Sequence, residues 1–223
     1  MQIIKPDFIV EEEESGISKV KKLEKYGRVC YKSEDNIGED TYKNILKNII
    51  KRGHTSVLEH EKITVRIICD RGVSHEIVRH RIASFSQEST RYCNYSESSK
   101  KNLGIKVIDI ASGFNYDLDN TTDKSKYEIW MQHMKRCEKA YNALIDLGAS
   151  PQEARSVLPN SLKTEIVVTM NIRSWRNFFS LRADKAAHPS MQEIAYPLLK
   201  FLHDYIPVVF DDIYEDKFHE KKK

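Results

Sequence analysis

A chain of 223 residues and 26.0 kDa suits one compact domain, large enough to bury most of its apolar surface. Its 36 basic and 33 acidic residues leave a formal net charge of +3, so a pervasive basic face that seeks polyanions is excluded and nucleic acid is not the expected partner. No apolar run approaches the ~20 residues needed to cross a bilayer, no basic-then-apolar secretion signal opens the chain, and Cys30, Cys69, Cys93 and Cys137 form no Cys-x-x-Cys pair, so a soluble cytoplasmic protein with reduced thiols and no membrane contact is expected.

In chain order, residues 17–31 and 40–51 carry apolar side chains at helical spacing among lysines and glutamates and predict two amphipathic helices. Residues 61–70 alternate and are rich in β-branched side chains, which predicts a strand, and the Arg71-Gly72 turn leads into a short helix over 74–79. The stretch after it reads as loop. Residues 105–110 and 163–172 are further strand candidates, and 124–147 predicts a helix stopped by Gly148. Pro151 followed by Glu153 marks another helix start. Residues 173–182 and 191–205 predict two more helices, the second kinked or broken at Pro197. Together these make an α+β fold, a single domain over residues 1–218 with a central, largely antiparallel sheet flanked by helices, and residues 219–223 form a disordered basic tail.

Residues 79–92 read RHRIASFSQESTRY, three arginines, a histidine and three serines with few apolar residues between them. Arginine is always charged and presents a planar fork of donors that suits phosphate or carboxylate, and serine hydroxyls complete such a cradle. By charge alone this is a solvated basic loop or a phosphate-binding patch. Of the eight histidines, His54 and His60 share one stretch and His75 and His80 another, but five residues separate His75 from His80 and no His-Glu-x-x-His or Cys-x-x-Cys framework accompanies them, so no metal site is expected. Cys93 follows Arg91-Tyr92, yet nothing marks it as a nucleophile, and Ser89 lacks a Gly-x-Ser-x-Gly elbow.

Order and spacing say more than charge. Arg79-His80-Arg81, seven residues, Ser89 and then Thr90-Arg91-Tyr92 resemble the signature of the flavin-dependent thymidylate synthases. Arg52-Gly53-His54-Thr55-Ser56-Val57-Leu58-Glu59-His60 is similar to the Gly-His segment that precedes the signature in that family. A third block starts at Glu153-Ala154-Arg155, runs through Asn171-Ile172-Arg173-Ser174-Trp175-Arg176-Asn177-Phe178 to Leu181-Arg182-Ala183-Asp184, and resembles the later half of the family's site.

The resemblance implies reductive methylation of dUMP to dTMP, with 5,10-methylenetetrahydrofolate as carbon donor and FAD reduced by NADPH as hydride donor, in a homotetramer whose sites are shared between subunits. Residue by residue, it puts Ser56 at a hydroxyl position for FAD and Arg79, His80 and Arg81 on the flavin-binding triplet, Arg79 also reaching the nucleotide. Gln87, Glu88, Ser89, Thr90 and Arg91 fall on the nucleotide-phosphate loop, with Gln87 also on the cofactor side, and Arg155 on a nucleotide contact. Asn171, Arg173 and Asn177 fall on the face that holds FAD, and Arg182 on the catalytic arginine beside the uracil. Three departures stand out. Ser86-Gln87-Glu88 replaces the common Asn-Glu pattern, leaving open whether Gln87 or Glu88 takes the glutamate's part. Glu76 stands where glutamine is common, so it is expected to face the uracil and not a phosphate. Val57-Leu58 replaces Pro-Phe. A phosphate-binding nucleic-acid module remains the alternative from a different class.

Overall fold

The computed structural model describes residues 1–96, 99 and 104–219. Along the chain lie β1 (Gln2–Ile4), β2 (Asp7–Val10), α1 (Gly16–Val29), α2 (Thr41–Lys51), β3 (Lys62–Asp70), α3 (Arg71–Ile77), β4 (Ser84–Gln87) and β5 (Lys106–Ile108). There follow α4 (Ile110–Gly113), α5 (Thr121–Asp146), α6 (Pro151–Ala154), β6 (Lys163–Asn171), α7 (Ile172–Arg182), α8 (Pro189–Tyr205) and α9 (Asp211–Phe218). The class is α+β, as expected: a four-stranded antiparallel sheet in the order β2-β3-β6-β4, a two-stranded parallel sheet of β1 and β5, and flanking helices.

The two nine-residue strands carry the main sheet. Ile172 N–H donates to Glu61 O at 2.9 Å, Arg71 N–H donates to Leu162 O at 3.1 Å, and Thr64 Oγ1 lies 2.9 Å from Thr169 Oγ1, so β3 and β6 run antiparallel along their length. The period of two then decides what is buried: Ile63, Val65, Ile67 and Cys69 on β3, and Thr164, Ile166, Val168 and Met170 on β6, all point to one face.

The chain divides into two compact units. The first comprises Met1–Asp7, Ile67–Arg79 and Phe85–Val167. Its core joins Tyr95, Ile105, Val107 and Leu162 to Met134 and Tyr141 of α5, the helix on which Met134, Cys137 and Tyr141 are buried at three- and four-residue spacing. Helix α5 starts three residues before the sequence predicts, because Asn120 caps it by accepting from Thr122 and Asp123 N–H. It ends as predicted at Gly148, whose φ of +90° permits the return bonds Gly148 N–H to Ile145 O and Ala149 N–H to Leu144 O, both 2.9 Å. A reciprocal pair, Ser150 and Glu153, then caps α6.

The second unit comprises Phe8–Arg66, His80–Ser84 and Val168–Lys223. Trp175, Phe178 and Phe179 of α7 pack with Phe210, and the Trp175 indole N–H donates to Ile63 O at 3.0 Å. Leu181, on the same helix, is 56 % exposed.

Two expectations are corrected. The stretch after α3 is not all loop: β4 pairs at the sheet edge, and just beyond it Glu88 N–H donates to Glu165 O at 2.9 Å. Its sequence, Ser-Phe-Ser-Gln, hides the strand because an edge strand needs few apolar side chains and gets its order from backbone pairing. Of the kink or break expected at Pro197, the break is absent: α8 runs through it, for the burial of Met191, Ile194, Ala195, Leu198, Leu199 and Leu202 outweighs the roughly 3 kcal/mol that an interior proline costs. Apart from His219, the tail expected over 219–223 lies outside the described residues.

Candidate functional site

In the first unit the segment after β4 is held by side-chain bonds that fix its polar residues. Gln87 Nε2 donates to Ser74 Oγ at 2.9 Å and to Thr164 Oγ1 at 3.3 Å. Glu88 accepts from Tyr95 OH at 2.7 Å and from Lys163 Nζ at 3.0 Å, and Lys163 also reaches Glu165 at 2.5 Å. Burial pushes the Tyr95 phenol up, and Glu88 adds to the rise. Burial alone would lower the Lys163 ammonium, but the two carboxylates outweigh it and the net shift is upward. The partners that engage Gln87 and Glu88 belong to the fold. Ser89 Oγ accepts from Arg91 N–H at 3.3 Å, turning the chain so that Arg91 Nε donates to Gln152 Oε1 at 2.9 Å.

Thr90 lines an open hollow of about 490 Å³ together with Arg71, His75, Gln152 and Arg155 and with the apolar Leu158, Pro159 and Leu162. Thr90 and Arg155, drawn from separate sequence blocks, thus meet there, with two arginines and a histidine facing one concave surface. That donor set suits a small anion of the phosphate type. The sequence did not assign Arg71, His75 or Gln152 to an anion, His75 having been weighed only as a metal ligand. Arg71 read as a turn residue and Gln152 as part of a helix start, and no local signal separates them from such roles. Arg71 Nη1 also lies 3.4 Å from both Glu88 O and Thr164 Oγ1. Glu76 lies on α3 and is half-buried; Arg79, just beyond that helix, is exposed.

In the second unit, Ser56 sits exposed on a tight 3-10 turn over Thr55–His60, which packs against α7. Asn171 caps α7 by accepting from Ser174 N–H at 2.8 Å, which leaves its amide NH2 as the group able to donate to a ligand. Arg173 and Asn177, one helical turn apart, are both exposed, and Arg173 Nη1 donates to Glu59 at 2.6 Å. Arg176 is a framework residue: it grips Asp212 with both terminal nitrogens at 2.7 Å and caps the Val209 carbonyl at 2.5 Å. Arg182, at the end of α7, donates from Nε to His80 Nε2 at 2.9 Å, while Arg81 is exposed. Burial, and then the neighbouring guanidinium, lower the His80 imidazole to about 4.

Cys93 packs half-buried against the first unit's core. Among the described residues there is no group of three or more His, Cys, Asp or Glu side chains that could hold a metal ion, and no helix is long and apolar enough to cross a membrane.

The chain is similar to known proteins over most of its length. A sequence profile described as "Thymidylate synthase complementing protein" matches residues 17–208. A protein of Geobacter sulfurreducens named flavin-dependent thymidylate synthase is 33% identical over 192 residues, 83% of this chain and 78% of the relative. One of the same name from Corynebacterium aurimucosum is 35% identical over 216 residues, 94% of this chain and 86% of the relative. A third, from Pyrococcus furiosus, is 33% identical over 176 residues, 78% and 68% respectively.

Proposed function

The chain belongs to the thymidylate synthase complementing protein family, the flavin-dependent thymidylate synthases, and from that premise we propose that it converts dUMP to dTMP in the cytoplasm, with FAD as cofactor and 5,10-methylenetetrahydrofolate and NADPH as co-substrates. The observation that carries this reading is the hollow where Thr90 and Arg155 meet, because the resemblance assigns both residues to the nucleotide and their donors suit its phosphate.

The side chains present also fit a flavin dinucleotide. Ser56, Arg173 and Asn177 are exposed on a 3-10 turn and a helix that pack together, and they offer a hydroxyl, a guanidinium and an amide to an anionic, ring-bearing group. When bound, the flavin supplies the hydride. The chain's own work is binding and polarisation. Gln87, Glu88, Ser89, Thr90, Arg91 and Arg155 hold the phosphate end, Arg79 and Glu76 fix the rest of the nucleotide, and Asn171, Gln87 and the triplet Arg79-His80-Arg81 join Ser56, Arg173 and Asn177 on the cofactor. Arg182 sits by the pyrimidine, where a fixed cation stabilises negative charge as it develops on the ring. The active form is a homotetramer with sites assembled from several subunits.

The purified protein is expected to take up FAD stoichiometrically, to oxidise NADPH faster when dUMP is present, and to form dTMP once methylenetetrahydrofolate is added. Protein with no flavin absorbance after incubation with excess FAD would rule the assignment out.

A further inference from the structure

Arg79 and Arg81 are exposed, but His80 between them is buried, with 6 % of its surface accessible. Its ring meets the edge of Phe178, centroids 4.9 Å apart, and its Nε2 lies 2.9 Å from Nε of Arg182, 102 residues further along the chain. A guanidinium has donors and no acceptor, so this bond requires a lone pair on Nε2. The ring proton therefore sits on Nδ1 and the imidazole is neutral. Burial and the adjacent positive charge both favour the neutral form.

The bond uses the inner nitrogen of the fork. A planar group held at Nε has the direction of its outer edge constrained with it. Phe178 limits how far the imidazole can swing, so the fixed direction passes from the core aromatic through the histidine to the arginine. An electrostatic group accelerates a reaction to the extent that it is oriented before charge develops, and a long flexible side chain needs such a partner.

We propose that the His80 ring is a positioning group: a neutral imidazole whose Nε2 accepts from Arg182 and sets the plane in which that guanidinium meets the pyrimidine, while the triplet's part in flavin binding falls to the exposed Arg79 and Arg81 and to the main chain. The pairing is independent of the enzymatic reading, while its consequence for turnover rests on that reading.

Two substitutions test the consequence. His80→Ala removes the acceptor; His80→Gln restores an amide oxygen at about the reach of Nε2. His80→Ala, which keeps Arg79, Arg81 and the main chain, is expected still to take up FAD and to lose about tenfold to a hundredfold in kcat for dTMP formation, with KM for dUMP changed less than about threefold, as for a misplaced electrostatic group. His80→Gln is expected to recover most of that loss. The proposal is overturned if His80→Ala turns over like the wild type, if His80→Gln is no better than His80→Ala, or if both fold normally and fail to take up FAD, which would make His80 a flavin contact.

The pairing has its own readout in the cofactor-free protein with 15N-labelled histidine rings, the His80 signals being those lost in His80→Gln. Nε2 is expected to be unprotonated and Nδ1 protonated, and the Nε2 resonance is expected to move in Arg182→Ala. An imidazolium, a proton on Nε2, or no response to Arg182→Ala would each overturn the pairing. Should His80→Ala not fold, this measurement still decides. Failure of the wild type to make dTMP would instead sink the proposed activity and leave the NMR result standing.

Discussion

Arg182, Ser89 and Cys93 invite three different roles, and their surroundings separate them. Ser89 Oγ is engaged by Arg91 N–H and Cys93 packs against a core, whereas Arg182 is aimed by a buried neutral partner. Arg182→Ala is therefore expected to lower turnover about a hundredfold or more. Ser89→Ala should cost about 1 kcal/mol, mostly in dUMP binding, and Cys93→Ala should keep its turnover. The measurement is dTMP formation at saturating dUMP, NADPH and methylenetetrahydrofolate; a covalent nucleotide adduct on Ser89 or Cys93 in mass spectra would contradict it. His80 adds a pH signature. Its folded pKa of about 4 lies below the usual 6.5, so as pH falls the unfolded chain takes up the proton first. The stabilising contribution is complete above pH 6.5 and is lost progressively toward pH 4, on the order of 2–3 kcal/mol. Carboxylates held low by partners, such as Glu14 by Lys22 and Asp184 by Lys217, also lose stability in acid. The test is therefore a difference: urea midpoints should fall more steeply between pH 7 and pH 4.5 for the wild type than for His80→Gln. At this scale the sequence offered residue types and spacing. It could not offer partners: Glu88 meets a lysine 75 residues away and Gln87 a serine 13 residues back, so which of the two stands in for the family's glutamate was not legible.

The long helices were legible and most of the short strands were not, for a physical reason. A helix such as α5 repeats its apolar face over many turns and declares its end with Gly148, while β1, β2 and β4 are three or four residues long and owe their order to pairing with distant segments. Helix α9 was missed because Phe210 gives it no side-chain cap and none of its residues is buried. Two glycines make element-scale predictions. Gly148→Ala places a Cβ at φ +90° with open space around it, so the cost is backbone strain alone, about 1 kcal/mol and a few degrees in Tm. Gly16→Ala is of a different order, since its Cβ would lie 1.8 Å from the Tyr205 carbonyl oxygen and α1 or the end of α8 must move. Thermal unfolding by circular dichroism should rank the two, with Gly16→Ala far the worse.

Three ordered blocks in one sequence pointed to a single activity, but no single-chain feature could tell how many chains make a site. If sites are shared in a homotetramer, Arg81→Ala and Arg182→Ala subunits, each inactive alone, should regain part of their activity when unfolded together and refolded as mixed oligomers. A fully active monomer in sedimentation would refute the shared site. The placement of the two tryptophans gives the molecule a built-in optical probe. Trp130 belongs to the first unit, where its indole donates to Ser161 Oγ at 3.0 Å, and Trp175 to the second, where it is 0 % exposed. Each compact unit therefore carries its own fluorophore. Trp130→Phe leaves emission from the second unit alone, so comparing its denaturation curve with that of the two-tryptophan protein reads whether the chain melts as one cooperative body or in two separate steps.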